Sequence, residues 1–133
     1  MTKKNEILKL WVEKADSDLG TAKIIYLHLP KFKDTLAYHC QQASEKYLKA
    51  LLIFFGLNVP KSHDIIYLLG LLEDKIDIGD NLFKKASILN DYSVEVRYPD
   101  SIIELTSDDC KEAIEIADEF RNYAINILPA EYT

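Results

Sequence analysis

Four polar residues, His39, Gln42, Lys46 and Lys49, follow one another at steps of three, four and three. On a helix that spacing sets them on one side, in a line about ten residues long. Lysine supplies point charge, while histidine and glutamine add directed hydrogen bonds, so such a row can cradle an anion. The alternative is that Glu45 pairs with Lys49 at i, i+4 and the row is wet surface. Two further places set polar groups beside helix ends. His63 and Asp64 fall just inside the N-terminus of a short helix, where free backbone N–H groups and the dipole favour an anion. Arg97 and Tyr98 fall at the end of another. Taken singly, His63 also reads as capping, and Arg97 as a cation set against a helix C-terminal dipole.

Other chemistries are missing from the 133 residues. Glycine is scarce at four residues and forms no phosphate-binding loop, and neither an HExxH nor a G-x-S-x-G run occurs. Cys40 and Cys110 belong to no CxxC or Cys/His cluster. They read as small buried hydrophobes of a reducing compartment, so neither a metal nor a disulfide is expected. The basic, polar start, Met1 to Asn5, leads into an amphipathic stretch rather than an apolar h-region, and no run is apolar enough to span a membrane. A cytoplasmic protein is expected.

A net charge of −6 argues against non-specific binding to nucleic acid. The charge is uneven. Residues 31 to 61 carry five lysines against Asp34 and Glu45, a net +3, and residues 100 to 133 carry nine acids against Lys111 and Arg121, a net −7. The acidic end reads as the solvated face of a helix, and the basic segment contains the polar row.

The elements that must position these residues are helices. Leu8, Trp11, Val12, Ala15, Leu19, Ala22 and Tyr26 form one stripe, which predicts a helix from about Lys4 to Leu29, stopped by Pro30. Leu36, Cys40, Ala43, Tyr47, Ala50 and Phe54 predict a second from about Lys33 to Phe55, with Gly56 just past its C-cap. Ser62 is a suitable N-cap for a short third helix holding Ile65 to Leu72. A fourth should start near Asp80 and run to Pro99, its last two turns being Asn90 to Tyr98. Thr106 with Asp109 resembles a capping box that opens a fifth. No period-two segment appears. The expectation is one all-α domain over residues 1–133, an up-and-down bundle of four to five helices.

Three separated runs carry a resemblance. "AYHCQQASEKYLKALLIFFG", "PKSHDIIYLL" and "LNDYSVEVRYPD" occur in order, and "WVEKADSDLGTA" precedes them with Ala15, Asp18, Leu19 and Ala22 at matching positions. Over roughly Trp11 to Leu128 the chain closely resembles the HEPN domain, the small helical domain named for higher eukaryotes and prokaryotes nucleotide binding. The likeness implies a homodimer that acts beside a minimal nucleotidyltransferase in a toxin–antitoxin type pair. It also implies that Gln42, Lys46, Lys49, His63, Asp64, Arg97 and Tyr98 gather round a polar cleft open to a nucleotide or an acidic group of a partner.

HEPN ribonucleases carry an arginine followed four to six residues later by histidine. Here Ile102, Ile103 and Glu104 stand near those positions, and no histidine follows His63. Metal-independent RNA cleavage needs a group that exchanges protons near neutral pH. The expectation is therefore a non-catalytic module that binds a nucleotide or a partner and needs no cofactor. Its alternatives are a ribonuclease using Arg97 with His63 as substitute base, or a purely structural bundle. Ile24, Ile25, Phe55 and Leu71 exceed what the stripes need, which also suggests an interface between two copies.

Overall fold

The computed structural model describes residues 2–93 and 104–133, and within them the chain is helical, with no strand. Five α-helices follow in order: α1 Lys3–His28, α2 Lys33–Phe54, α3 Ile65–Leu72, α4 Asp80–Asn90 and α5 Ser107–Ile127, with a short 3-10 turn at Ala130–Tyr132. Helices α1, α2 and α5 form the body. Cross-links between Asp18 and Lys46 and between Asp16 and Tyr47 make α1 antiparallel to α2, while Lys23–Asp118 and Asp16–Arg121 make α5 antiparallel to α1.

Local chemistry sets the ends. The α1 N-cap is Thr2, whose hydroxyl accepts from Asn5 N, and Thr106 with Asp109 forms a full capping box on α5. Helix α2 closes in a Schellman motif: Gly56 takes φ 74°, Gly56 N donates to Ile53 O, and Leu57 N donates to Leu52 O. Only glycine holds that left-handed conformation without a Cβ penalty.

Two expected boundaries are corrected. Helix α3 starts at Ile65 with Asp64, not Ser62, as its N-cap; Ser62 Oγ instead accepts from Asp64 N. His63 and Asp64 thus precede the helix rather than forming its first turn. Asp64 wins because its carboxylate reaches both Ile66 N and Tyr67 N, at 3.0 and 3.2 Å. Helix α4 ends at Asn90, not at Pro99. There Tyr92 N turns back to Leu89 O, and both ends of the Asn90 amide are committed to α3, accepting from Ile65 N at 2.9 Å and donating to Asp64 at 2.8 Å. The expected turns from Ser93 onward, with Val96, Arg97, Tyr98 and Pro99, fall largely outside the described residues.

Helix α2 is the hub, with α1, α3, α4 and α5 all packed on it. Of its expected stripe Leu36, Cys40, Ala43, Tyr47 and Ala50 are buried and Phe54 is partly so, and Leu48, Leu51, Leu52, Gln41, Gln42, Ser44, Glu45 and Lys49 are buried as well. Cys40 and Cys110 are both buried, and burial pushes both thiols up from their ordinary pKa. Of the four residues expected to exceed the core's needs, Ile24 is 59% exposed, whereas Ile25 is buried and Phe55 and Leu71 are partly so. Among the described residues, no helix is long and apolar enough to cross a membrane.

Candidate functional site

The polar row of α2 divides between two carboxylates. Asp18, from the middle of α1, takes His39 and Lys46: His39 Nδ1 lies 2.8 Å from Asp18 Oδ1, and the Lys46 ammonium donates to Oδ2. Glu45, from α2 itself, takes Lys49 and His63, with Lys49 Nζ 2.9 Å from Oε2 and His63 Nδ1 2.8 Å from Oε1. An ionised carboxylate can only accept, so the facing nitrogen of each imidazole carries the hydrogen.

Of the expected site residues, Gln42, Lys49 and His63 therefore come together round Glu45. Lys46 sits with Asp18 and His39. Asp64 is taken up by capping α3 and by Asn90, whose hydrogen bond, joined by those of the backbone amides, holds its carboxyl below the ordinary value against a small cost of burial. Arg97 and Tyr98 lie outside the described residues.

The Glu45 cluster is mostly buried. Side-chain exposure is 3% for Glu45 and 6% for Lys49, against 66% for His63. Gln42 Nε2 donates to Gln41 Oε1 at 2.8 Å and reaches Glu45 Oε1 at 3.4 Å. Gln41 Nε2 donates to the His63 carbonyl at 2.8 Å, so the loop before α3 is held to α2 by both its backbone and its imidazole. Lys49 Nζ also stands 5.5 Å from the centroid of the Trp11 ring on α1, a cation–π contact. Among the described residues no buried side-chain N or O lacks a partner.

This geometry fixes what the cluster can do. A buried carboxylate that grips Nδ1 orients the imidazole and leaves Nε2 as the ring nitrogen free to donate to an anion or exchange a proton. Glu45 balances the buried Lys49. No group of three or more His, Cys, Asp or Glu side chains placed to hold a metal occurs among the described residues.

The family model of the HEPN domain matches residues 8–128. The chain belongs to the HEPN domain family. A Methanocaldococcus jannaschii protein named "Putative toxin MJ1304" is 27% identical over 93% of this chain and 90% of its own length. Among solved structures, TT1696 from Thermus thermophilus superposes with a TM-score of 0.78 at 26% identity, covering 91% of this chain and 98% of that one. ST0689, described as an archaeal HEPN homologue, gives 0.71 at 25% identity over 90% and 95%. A Thermotoga maritima HEPN domain protein, at 20% identity and a TM-score of 0.70 over 88% and 95%, shares the fold.

Sequence reasoning treated Glu45 as a neutralising partner and did not single out Gln41, Trp11 or Asp18 as site-building groups. The available signal was the off-stripe apolar set Leu48, Leu51 and Leu52, which marks α2 as covered on more than one face and Glu45 as sharing that burial.

The Asp18 cluster of this HEPN chain carries a pH prediction. Burial raises the Asp18 pKa, but the hydrogen bonds and charges of His39 and Lys46 outweigh it and hold the carboxyl below 3.8. Its stabilising contribution is therefore complete above 3.8 and is lost as pH falls through the lower folded-state value. Urea titrations at pH 7, 4 and 3 should show wild type losing stability on the acid side more steeply than Asp18→Asn. Parallel losses in the two proteins would refute this role.

Proposed function

We propose that this HEPN chain is the toxin-type member of a toxin–antitoxin pair and works by binding. The Glu45 cluster is its recognition site, and a minimal nucleotidyltransferase is its partner class. The observation that carries the reading is His63: its imidazole is gripped through Nδ1 by a buried carboxylate while most of the side chain is exposed. The group that meets it is a nucleotide phosphate or an acidic side chain of the partner, which accepts from Nε2 beside a cluster whose buried Lys49 is already balanced. The name of the Methanocaldococcus relative supports the toxin half of the proposal. Gln42 and Lys49 build the site, Arg97 and Tyr98 are its further groups by the family resemblance, and Lys46 and Asp64 hold the helices that frame it. The protein acts as a cytoplasmic homodimer.

Calorimetric titration with ATP at low and moderate salt tests the nucleotide arm. Binding should weaken with salt, as a surface phosphate contact does, and should be lost in His63→Ala and Arg97→Ala without loss of helicity. Absence of binding at millimolar ATP removes that arm, and co-purification with a co-expressed nucleotidyltransferase then decides the partner arm.

The second reading is a ribonuclease, favoured by the same Glu45–His63 pairing, because an oriented imidazole is what proton transfer requires. Incubation with structured and single-stranded RNA separates the readings. Cleavage abolished by both Arg97→Ala and His63→Ala establishes the enzyme, and intact RNA excludes it.

A further inference from the structure

The loop that delivers His63 has a second feature. Leu57, Asn58 and Pro60 of the loop and Tyr67 and Leu71 of α3 line a hollow of about 300 Å³. Its walls come from two elements, and both are fixed. Leu57 N donates to Leu52 O at the end of α2, the His63 carbonyl and imidazole are held by Gln41 and Glu45, and Pro60 stiffens the stretch between. Leu57 and Leu71 pack against the core and back the hollow. Tyr67 differs from its helix neighbours: Ile65, Leu68, Leu69 and Leu72 are buried, whereas Tyr67 is 50% exposed. Among the described residues, none of Asn58, Lys61 and Tyr67 spends its side chain on a hydrogen bond or ion pair.

We infer that this hollow takes the base of a nucleotide whose phosphates reach His63 and Lys61, so that the ligand of the Glu45 cluster is a nucleotide rather than an acidic side chain. An open apolar hollow with one aromatic wall fits a flat ring, and stacking on an aromatic side chain accepts any base. The volume, at the bottom of the range for small-molecule sites, suits one ring and not a whole nucleotide. Asn58 at its rim can both donate to and accept from a base edge.

Charge fixes the direction in which the ligand lies. Lys61 and His63 stand at one end of the hollow, and Glu73 and Asp74 follow Leu71 at the other. Asp64, the exposed carboxylate at the cationic end, is engaged by Ile66 N, Tyr67 N and Asn90. The reach is sufficient. Pro60 and His63 are three residues apart, so their Cα atoms are separated by no more than about 11 Å, a gap that a sugar and a short phosphate chain cross. A partner's Asp or Glu would use the cations and leave the hollow unfilled, which is why the hollow points to the nucleotide. The inference rests on the nucleotide arm of the function proposed above and adds a base subsite to it.

Calorimetry with ATP and with inorganic tripolyphosphate separates base from phosphate. ATP should bind about five- to 150-fold more tightly, the range for one stacked base. Tyr67→Ala should bring ATP down to the affinity of tripolyphosphate and leave tripolyphosphate unchanged, Tyr67→Phe should keep the preference, and Lys61→Ala should weaken both ligands alike. Tyr67 and Lys61 are exposed, so unchanged circular dichroism is expected in all three variants. If the two ligands bind equally, or if Tyr67→Ala spares the preference for ATP, the base subsite is overturned and the phosphate reading stands. If neither ligand binds at millimolar concentration, the phosphate reading falls, and the subsite with it.

Discussion

Glu45→Ala is expected to destabilise the fold by about 3–5 kcal/mol, because it strands a buried ammonium. Lys49, with 6% of its side chain exposed, has Glu45 as its hydrogen-bonding partner at 2.9 Å and the Trp11 ring as its other neighbour. Ring attraction recovers only about 0.5–2 kcal/mol of what an unpaired buried cation costs. Removing the carboxylate also frees His63 and unpairs one Gln42 contact, so the loop before α3 should loosen as the helices weaken. Urea denaturation measures the loss. The paired substitution Glu45→Leu with Lys49→Met should recover most of it, since a buried ion pair replaced by apolar groups of similar volume is often neutral. If Glu45→Ala costs less than about 1 kcal/mol, the pair behaves as a surface bridge.

Tyr47→Ala should cost about as much, roughly 3–5 kcal/mol, through the cavity left by a fully buried ring. Its hydroxyl donates to Asp16 on α1, and Asp16 also accepts from Arg121 Nε on α5 at 3.1 Å, so one carboxylate ties the three long helices together. Burial first, and then the hydrogen bond to Asp16, push the phenol above its ordinary pKa, so it stays a donor throughout the working range. Tyr47→Phe isolates the hydroxyl and should cost about 1–2 kcal/mol. Thermal or urea unfolding of the two variants should show the larger loss in the alanine protein. Equal losses would assign the effect to the hydrogen bond rather than to packing.

The helices were legible where a single mechanism set them. The α1 and α2 helices, Gly56 after α2, and the Thr106–Asp109 box each act through a few residues, and each appears within a residue or so of its expected place, although Tyr26 of the expected α1 stripe is exposed and Ile25 is buried instead. The end of α4 was not legible, because Asn90 is recruited by Ile65 and Asp64, residues 25 and 26 positions away. For the site, spacing placed His39, Gln42, Lys46 and Lys49 on one side of α2 but could not divide them. The division depends on Asp18 arriving from α1 and on the loop bringing His63 back to Glu45, and both are tertiary events. Glu45 was visible as a helical pairing partner for Lys49. Its burial was not, because it follows from α2 being packed on several sides.

Trp11, the single tryptophan of the chain, stands 5.5 Å from the Lys49 ammonium and so reports on the proposed site without a label. ATP titrated against the Trp11 emission asks whether the Glu45 cluster takes a nucleotide phosphate. A saturable change is expected, one that weakens as salt rises and disappears in His63→Ala while the helical circular dichroism is kept. An emission unchanged up to millimolar ATP would contradict the nucleotide arm, and a saturable change that His63→Ala leaves intact would contradict the Glu45 cluster as its site.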